Sequence, residues 1–278
     1  MANRASILGL GAMGTAMRDR LVECGFDVVG FRRSVASPSL AEAAAHGDVV
    51  IVMVSDDVAL LDVVDRAATH ARAGTLFIDM GTSGASAARE AHLRATRAGH
   101  AFIDVPVSGT IGPARKGALL GFAGGDDASI ARAKPILDAL CRRVIRAGAV
   151  GQGQVLKVVL NGIGAHHLVA FSSMLALGER AGLARESLVD AFTDGAFASP
   201  SYVGKKARVL ERRYDAPEFS LRLTKKDARL ARELAREVAL DLPALAAVEG
   251  EVLRGVDAGL GEEDLFALEK VYPRLTDG

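Results

Sequence analysis

The chain has 278 residues, of which 50% are hydrophobic and 24% charged, so it is an ordinary globular protein long enough for two domains. Its 34 basic and 34 acidic residues give a formal net charge of zero. The net charge therefore gives no electrostatic reason to expect binding to nucleic acids or to membrane surfaces. The two cysteines, Cys24 and Cys141, lie in apolar sequence. We predict two buried thiols without a disulfide, which fits a reducing cytosol.

Three sequence features bear on targeting, membrane insertion and metal binding. The N-terminus has no charged-then-apolar leader, and no apolar run is interpreted as long enough to span a bilayer. We therefore expect a soluble, cytoplasmic protein. Histidine, cysteine and acidic residues do not recur at metal-ligand spacing, so no metal is expected.

Residues 1–150 alternate short β-rich runs with helical patterns. This alternation predicts a parallel, doubly wound α/β sheet of the Rossmann type, with the direction of the last strands left open. The run from Val49 to Val54 is continuously apolar, as in a strand covered on both faces. The predicted strands are Ser6–Leu10, Val28–Phe31, Val49–Val54, Leu76–Met80, Ala101–Val107, Leu119–Ala123 and Val144–Arg146.

After this half the strand signal stops, and we predict an all-helical domain over residues 151–278. Apolar residues at helical spacing predict one helix over about residues 152–181, which at 1.5 Å per residue would span roughly 45 Å and link the two domains. The charged stretch over residues 225–237 is interpreted as a solvated helix face. The other predicted helices are Arg185–Thr193, Ser201–Arg213, Leu223–Leu240, Pro243–Ala258 and Glu262–Tyr272.

A glycine-rich turn lies between the first strand and an amphipathic helix, Met13–Cys24. In this context Gly9 permits a tight turn, Gly11 lets the backbone approach a pyrophosphate, and Gly14 lets helix and strand pack closely. The N–H groups at the start of the helix then face the phosphates. The predicted dinucleotide-binding turn is Gly9-Leu10-Gly11-Ala12-Met13-Gly14.

The tip of the second strand predicts which dinucleotide binds. NAD-binding chains carry a carboxylate about 20 residues after the turn, to bind the ribose 2′-hydroxyl. This strand ends in Arg32, Arg33 and Ser34, and Asp27 lies at its other end. Guanidinium groups bind a 2′-phosphate, so the pattern favours NADP(H) over NAD(H). The alternative is that both arginines are solvated loop residues.

Other candidate contacts follow the later strands at the same edge of the sheet. Val54 ends the third predicted strand, Ser55 follows it, and Thr82 follows the fourth strand; all three are predicted to lie near the cofactor. The turn Ser108-Gly109-Thr110 offers successive N–H groups and two hydroxyls, a candidate cradle for a substrate carboxylate. An ordinary turn explains that pattern equally well.

Lys157 and Asn161 lie four residues apart on the long predicted helix, so they share one face. The residues between and before them are apolar, which places an ammonium group in a mostly buried wall. Such burial makes a lysine usable as an acid or base near neutral pH. From the residues alone, a lysine at a helix margin with its charge in water is slightly favoured.

Taken in order, these elements resemble the β-hydroxyacid dehydrogenase family, which includes 3-hydroxyisobutyrate dehydrogenases, tartronate semialdehyde reductases and glyoxylate/succinic semialdehyde reductases. The resemblance covers nearly the whole chain. It rests on Gly9-x-Gly11-x-Met13-Gly14, on Asp104-Val-Pro-Val-Ser-Gly109 with Lys116-Gly117-Ala118-Leu119 and Gly124-Gly125, on Lys157 with Asn161, and on Phe219-x-x-x-Leu223-x-x-Lys226-Asp227.

The resemblance reverses the interpretation of Lys157, which it implies is the catalytic lysine. Lys157 would give a proton to the carbonyl oxygen in reduction or take it from the alcohol in oxidation, while hydride passes between the nicotinamide and C3 of the substrate. Asn161 would position Lys157 and the substrate. The resemblance further implies a carboxylate site at Ser108, Gly109 and Thr110, a cofactor contact at Lys226, and substrate contacts at Phe219 and Asp227.

The implied substrate is a small carboxylate-bearing aldehyde or hydroxy acid, and a homo-oligomer, dimer or tetramer, is expected. The chain departs from the family at Thr110, where a glycine is usual, and at Ser173, where a glutamate is common. His166 and His167 are interpreted as packing or interface residues rather than substrate ligands. Two alternatives remain: an imine reductase, in which Asp, Tyr or another residue usually stands in place of Lys157, and a non-catalytic NADP(H)-binding protein.

Overall fold

The structure, a computed structural model, describes residues 4–34 and 38–272. The chain divides into two compact units, residues 1–158 and residues 159–278. Helix α7, Gln152–Arg180, contributes its first two turns to the first unit and the rest to the second.

The first unit is built on one eight-stranded sheet with the order β2-β1-β3-β4-β5-β7-β6, and β8 pairs with β7. Strands β1 to β5 are parallel, β7 is antiparallel to β5 and β6, and β8 is parallel to β7. The strands are β1 Arg4–Leu8, β2 Asp27–Phe31, β3 Val49–Val52, β4 Leu76–Asp79, β5 Ala101–Asp104, β6 Val107–Ser108, β7 Leu119–Gly124 and β8 Cys141–Gly148.

Helices cover both faces of this sheet, which confirms the doubly wound prediction. One apolar cluster packs residues of α1 and α6 against one face, and a second packs residues of α2, α3 and α4 against the other. Burial of these apolar strand faces is the main stabilising term, at roughly 25 cal/mol per Å². The helices are α1 Ala12–Glu23, α2 Leu40–His46, α3 Asp57–Ala68, α4 Ala85–Arg97, α5 Ile111–Arg115 and α6 Asp127–Leu140.

In residues 159–272, which the structure describes, the second unit is helical, apart from a bridge between Ser220 and Asp264. Its core packs the ring of Phe171 against those of Tyr202 and Phe266, with centroids 4.7 and 5.1 Å apart. Its elements after α7 are α8 Arg185–Asp194, α9 Pro200–Leu210, α10 Leu221–Glu237, α11 Pro243–Gly255, a π-helical turn Val256–Leu260 and a 3-10 helix Leu265–Val271.

Two elements differ from their predictions for local reasons. The predicted strand Ala101–Val107 is interrupted at Pro106, which has no N–H to donate to a ladder. The predicted last helix is a shorter 3-10 helix, which begins where the Asp264 side chain accepts a hydrogen bond from the N–H of Phe266 at 3.3 Å.

The cysteines are free, and only one of them is buried as predicted. Cys141 is buried, and loss of hydration raises the pKa of its thiol to about 12. Cys24 is exposed, because it is the C-cap residue of α1 and follows the last helical turn. The prediction of a buried Cys24 is therefore wrong.

Helix α7 is long and apolar enough, by length and composition alone, to cross a membrane. The prediction that no apolar run reaches that length is therefore wrong. The helix nevertheless buries Leu168, Phe171 and Leu175 in the core of the second unit, and it buries the polar side chains of Gln154 and Lys157. We interpret α7 as a core helix, a kind that passes the same test.

Candidate active site

A cleft of about 770 Å³ opens at the carboxyl ends of β1, β2 and β3. Strand β1 lies between the other two, so the chain leaves it toward opposite sides of the sheet, and ligands of open α/β sheets bind at such a switch point. The residues lining the cleft are Gly9, Leu10, Gly11, Phe31, Arg32, Arg33, Ser34, Met53, Val54, Ser55, Asp56, Val58, Ala59, Asp62 and Val63.

The three glycines of the turn after β1 differ in what a side chain would meet at each position. Gly9 has a φ of +118°, and a Cβ there would lie 2.1 Å from the carbonyl oxygen of Met53. A Cβ on Gly14 would lie 2.1 Å from the carbonyl oxygen of Gly9. A Cβ on Gly11 would meet no atom within 4 Å, so packing within the chain does not require this glycine. The space beside Gly11 therefore belongs to the cleft.

Helix α1 begins beside that space. Its N-cap residue is Gly11, and no side chain caps the N–H groups of its first turn, which starts with Ala12 and Met13. The N–H groups of Gly9 and Leu10 both donate to the carbonyl oxygen of Phe31, at 2.9 and 3.0 Å, and so fix the turn against β2. An uncapped helix N-terminus beside an open backbone fits the pyrophosphate of a dinucleotide.

The basic end of the cleft is the segment that follows β2. Arg32, Arg33 and Ser34 are exposed and line the cleft, whereas Asp27 lies at the opposite end of the strand. The Arg33 guanidinium, 75% exposed, is 3.7 Å from a carboxylate oxygen of Asp62 on α3. The wall at this end therefore holds two guanidinium groups and the carboxylate of Asp62.

The candidate carboxylate cradle lies after β6. Ser108 ends that strand and pairs with Leu120 of β7, and Thr110 is the N-cap residue of α5 without a side-chain capping bond. Gly109 has a φ of +137°, a region that disfavours any other residue, and a Cβ there would lie 2.8 Å from Cδ2 of Leu119. Thr82 is half-buried just after β4.

Lys157 lies in the second turn of α7 and is buried, with 8% of its surface exposed. Val158 beside it is also buried, while Val155 and Leu156 are half-buried. The side chain of Lys157 is therefore largely withdrawn from solvent.

In the second unit, Asn161 is held by a buried carboxylate. Its Nδ2 donates to Oδ2 of Asp227 at 2.6 Å, and Nζ of Lys226 lies 3.5 Å from Oδ1 of the same carboxylate. Asp227 therefore orients two other predicted site residues, and 4% of its surface is exposed. Phe219 is half-buried, and its carbonyl oxygen accepts a hydrogen bond from the N–H of Leu265.

The two histidines of α7 differ in exposure. His166 is half-buried, and its Nδ1 lies 2.8 Å from the carbonyl oxygen of Gly162 on the preceding turn. His167 is exposed, and its ring centroid lies 6.0 Å from that of Tyr202. Both rings thus have contacts within the helical unit.

One buried cluster was missed in the sequence, although its signal is visible there. Strands β4 and β5 both end in Phe-Ile-Asp, and their register sets Asp79 beside Asp104. Loss of hydration, followed by repulsion from Asp104, raises the pKa of Asp79 to about 7. Loss of hydration also raises the pKa of Asp104 to about 6. The repeated motif could have revealed this pair of carboxyl groups.

Two family models together match nearly the whole chain. One, described as the NAD binding domain of 6-phosphogluconate dehydrogenase, matches residues 4–148. The other, described as NAD-binding of NADP-dependent 3-hydroxyisobutyrate dehydrogenase, matches residues 151–272.

Individual relatives agree with these models. Glyoxylate/succinic semialdehyde reductase 1 of Arabidopsis thaliana is 33% identical over 276 residues, which cover 94% of this chain and 95% of that protein. The structure of Mycobacterium tuberculosis 3-hydroxyisobutyrate dehydrogenase with L-serine has a TM-score of 0.85 at 29% identity, covering 98% of this chain and 99% of that one. An imine reductase from Pseudomonas sp. has a TM-score of 0.63 at 17% identity, covering 97% of this chain and 99% of that one, and so shares the fold alone.

The fold, the cleft and these matches define an oxidoreductase that uses a nicotinamide dinucleotide and acts in the manner of the hydroxyacid dehydrogenases. More particularly, the chain belongs to the β-hydroxyacid dehydrogenase family, the family of 3-hydroxyisobutyrate dehydrogenase and glyoxylate/succinic semialdehyde reductase. The resemblance inferred from its motifs is confirmed.

Proposed function

We propose that the protein is an NADP(H)-dependent reductase of small carboxylate-bearing semialdehydes that also oxidises the corresponding β-hydroxy acids. The observation that carries the proposal is a buried lysine, Lys157, on the helix that follows a dinucleotide cleft with an arginine-rich rim. The relative from Arabidopsis thaliana, named a glyoxylate/succinic semialdehyde reductase, supports the substrate class.

The preference for NADP(H) over NAD(H) rests on the segment after β2. Arg32 and Arg33 line the cleft there, and the segment from Arg32 to Ser34 has no carboxylate of its own to bind a ribose 2′-hydroxyl. A carboxylate oxygen of Asp62 lies 3.7 Å from the Arg33 guanidinium, an exposed ion pair that contributes little. Arginine binds phosphate with paired hydrogen bonds, so a 2′-phosphate is the group that fits this rim.

The proposed chemistry divides between cofactor and protein. When bound, the cofactor exchanges a hydride with C3 of the substrate. The Lys157 ammonium donates a proton to the carbonyl oxygen during reduction, and its neutral amine accepts that proton during oxidation. The N–H groups and hydroxyls of Ser108, Gly109 and Thr110 hold the substrate carboxylate. Reduction of the carbonyl group takes one hydride at carbon and one proton at oxygen, and in this proposal Lys157 supplies the proton.

The remaining roles are proposed from the family resemblance and the contacts within each unit. Asn161 positions the reacting groups and is itself oriented by Asp227. The other proposed contacts are Gly9, Leu10, Gly11, Ala12, Met13, Gly14, Ser34, Val54, Ser55, Thr82 and Lys226 for the cofactor, and Phe219 and Asp227 for the substrate.

A substrate screen with both cofactors tests the function. Small semialdehydes, β-hydroxy acids and a cyclic imine are each offered with NADPH or NADP⁺ and with NADH or NAD⁺, and turnover is followed by nicotinamide absorbance. We expect the highest kcat/KM for a semialdehyde with NADPH. Turnover of the imine alone would indicate an imine reductase, and tight cofactor binding without any turnover would indicate a non-catalytic binding protein.

We further propose that the protein is cytoplasmic and forms a homo-oligomer. Five large apolar side chains on the second-unit part of α7 are exposed, Val159 among them. The other four form two pairs, each with a spacing of three residues, and the pairs lie 14 residues apart, which is the pattern of a helix-packing seam. This α7 stripe consists of Leu160, Ile163, Met174 and Leu177.

A further inference from the structure

The start of α7 is held by a carboxylate from the sheet. Asp104, the last residue of β5, is fully buried, and its Oδ1 accepts a hydrogen bond from the N–H of Gly151 at 2.7 Å. Its Oδ2 accepts one from the N–H of Gln154 at 2.8 Å. Asp104 of β5 therefore caps the N-terminus of α7. The helix dipole favours a negative charge at that end of the helix.

The side chain of Gln154 joins this cap to the neighbouring strand. Its Nε2 donates to Oδ2 of Asp79 at 2.9 Å and lies 3.1 Å from the carbonyl oxygen of Gly81. Its Oε1 accepts a hydrogen bond from the N–H of Ser83 at 3.1 Å. Gln154 is fully buried, and every polar atom of its side chain has a partner.

Asp79 completes the network at the end of β4. Its Oδ1 accepts a hydrogen bond from the N–H of Gly81 at 3.1 Å, and its Oδ2 accepts one from the hydroxyl of Ser83 at 3.2 Å. Loss of any member would leave a buried polar group without its partner, which costs about 1–3 kcal/mol.

Packing allows the first turn of α7 little freedom to shift. A Cβ on Gly153 would lie 2.3 Å from the carbonyl oxygen of Phe122 and 2.7 Å from Oδ2 of Asp104. Lys157 follows Gln154 by three residues, a rise of about 4.5 Å at 1.5 Å per residue. A displacement of the first turn is therefore passed directly to the backbone of Lys157.

We propose that Asp79, Asp104 and Gln154 are positioning residues that fix where the Lys157 ammonium group lies. This inference rests on the proposed function, in which Lys157 is the proton donor and acceptor. In this network the carboxyl groups of Asp79 and Asp104, at the ends of two strands, form hydrogen bonds with the first turn of α7 and with the carboxamide of Gln154. Its role is exerted through Lys157, because none of its members is required to touch substrate.

The test compares Gln154→Ala with Gln152→Ala in the full-length protein. Gln152 lies in the same helical turn but is exposed, so its variant controls for loss of a glutamine at the start of α7. The measurements are kcat and KM for the best semialdehyde, the Kd of NADPH from nicotinamide fluorescence, and the isotope effect on kcat with NADPH deuterated at C4. Asp104→Asn serves as a second variant that keeps the side-chain size.

We expect Gln154→Ala to lower kcat by about 10- to 100-fold, the effect of a displacement near 1 Å, with little change in the NADPH Kd. The isotope effect rises, because a misplaced proton donor makes the chemical step slower than cofactor release. Gln152→Ala keeps wild-type values. A purely structural network would instead lower the melting temperature without moving kcat per folded molecule or the isotope effect.

Two results overturn the inference, and the activity of Lys157→Ala shows whether the proposed function fails with it. Wild-type kcat and isotope effect in Gln154→Ala and Asp104→Asn, while Lys157→Ala is inactive, would show that the network does not position Lys157. Full turnover in Lys157→Ala would overturn both the proposed function and this inference. If Gln154→Ala does not fold, Asp104→Asn decides by the same criteria.

Discussion

At the scale of single residues, the glycines of the first turn separate packing from ligand binding. Gly9 and Gly14 are required by contacts within the chain, because a Cβ on either would overlap a carbonyl oxygen. Gly11 has open space where its side chain would be. A sequence motif cannot distinguish these cases, whereas the structure shows that Gly9 and Gly11 both line the cleft and that only Gly11 has open space beside it.

The first prediction follows from that contrast. Gly11→Ala leaves the melting temperature close to that of the wild type but weakens NADPH binding by about 10-fold or more, since the new methyl group occupies space needed by the pyrophosphate. Gly14→Ala is the control and lowers the melting temperature, because its Cβ collides with the backbone. Thermal unfolding and nicotinamide fluorescence measure the two effects. Wild-type NADPH affinity in Gly11→Ala would contradict the assignment.

The second prediction concerns the arginines after β2. Replacing Arg32 and Arg33 together with alanine raises the KM for NADPH by about 10-fold or more, since each charge-assisted hydrogen bond contributes about 1.5–3 kcal/mol, and changes the KM for NADH little. Arg142 and Arg143 are also adjacent and exposed, on β8, so their double alanine variant is the matched control. An unchanged ratio of the two KM values would contradict binding of a 2′-phosphate by this rim.

At the scale of elements, the ends of β4 and β5 bring two carboxyl groups together inside the protein. Burial and the neighbouring Asp104 raise the folded-state pKa of Asp79 to about 7, from 3.8. The folded protein therefore binds a proton more tightly than the unfolded chain does. The stability that Asp79 contributes is complete below pH 3.8 and is lost as pH rises toward 7.

The third prediction tests this sign. Between about pH 5 and pH 8, the free energy of unfolding of the wild type falls more than that of Asp79→Asn, whatever the absolute stability of the variant. Urea unfolding at both pH values measures the difference. Asp138→Asn removes an exposed carboxylate on α6 and should retain the wild-type dependence. If the free energy of unfolding fell equally with pH in the wild type and in Asp79→Asn, the Asp79 carboxyl group would not take up a proton on folding.

The type and order of the elements could be predicted from sequence, because helix and strand periods are local properties. The exact ends of the elements could not be predicted at positions where a single residue determines them. Pro106 interrupts a predicted strand, and Cys24 lies just beyond the end of a helix. The network around Gln154 was also missed. It joins Asp79 and Asp104 to a helix that starts much later in the chain, and such pairing depends on the folded sheet.

At the scale of the whole molecule, the α7 stripe carries the proposal of a homo-oligomer. The same helix packs Leu168, Phe171 and Leu175 into the apolar core of the second unit. The stripe is exposed in the single chain, and water contact with four large apolar side chains is unfavourable. A second copy of the chain would cover it.

The fourth prediction tests that interface. Replacing Ile163 and Leu177 together with glutamate shifts the protein toward the monomer, since burying a carboxylate in an apolar seam is costly. Light scattering coupled to size-exclusion chromatography measures the mass, and circular dichroism checks the helix content. Val238→Glu, also at an exposed apolar position, is the control. An unchanged mass in the double variant would exclude the α7 stripe as the interface.

Much of the candidate site could also be predicted from sequence, since strand ends and helix starts place the glycine turn and the arginines in one cleft. The resemblance to a family supplied the proposed role of Lys157, because residue patterns alone slightly favoured a lysine with its charge in water. The substrate could not be predicted, because selectivity depends on pocket shape, to which single positions such as Thr110 contribute. The orienting contact of Asp227 with Asn161 was also beyond sequence reasoning, since it joins residues on different helices.

The central claim is that Lys157 is the proton donor of an NADPH-dependent carbonyl reduction. Its most direct test is the kcat of Lys157→Ala with the best semialdehyde from the screen, measured at saturating NADPH together with the NADPH Kd. We predict a loss in kcat of about 10²- to 10⁴-fold, the range for a positioned acid or base, with cofactor affinity nearly unchanged. A kcat near the wild-type value would contradict the claim.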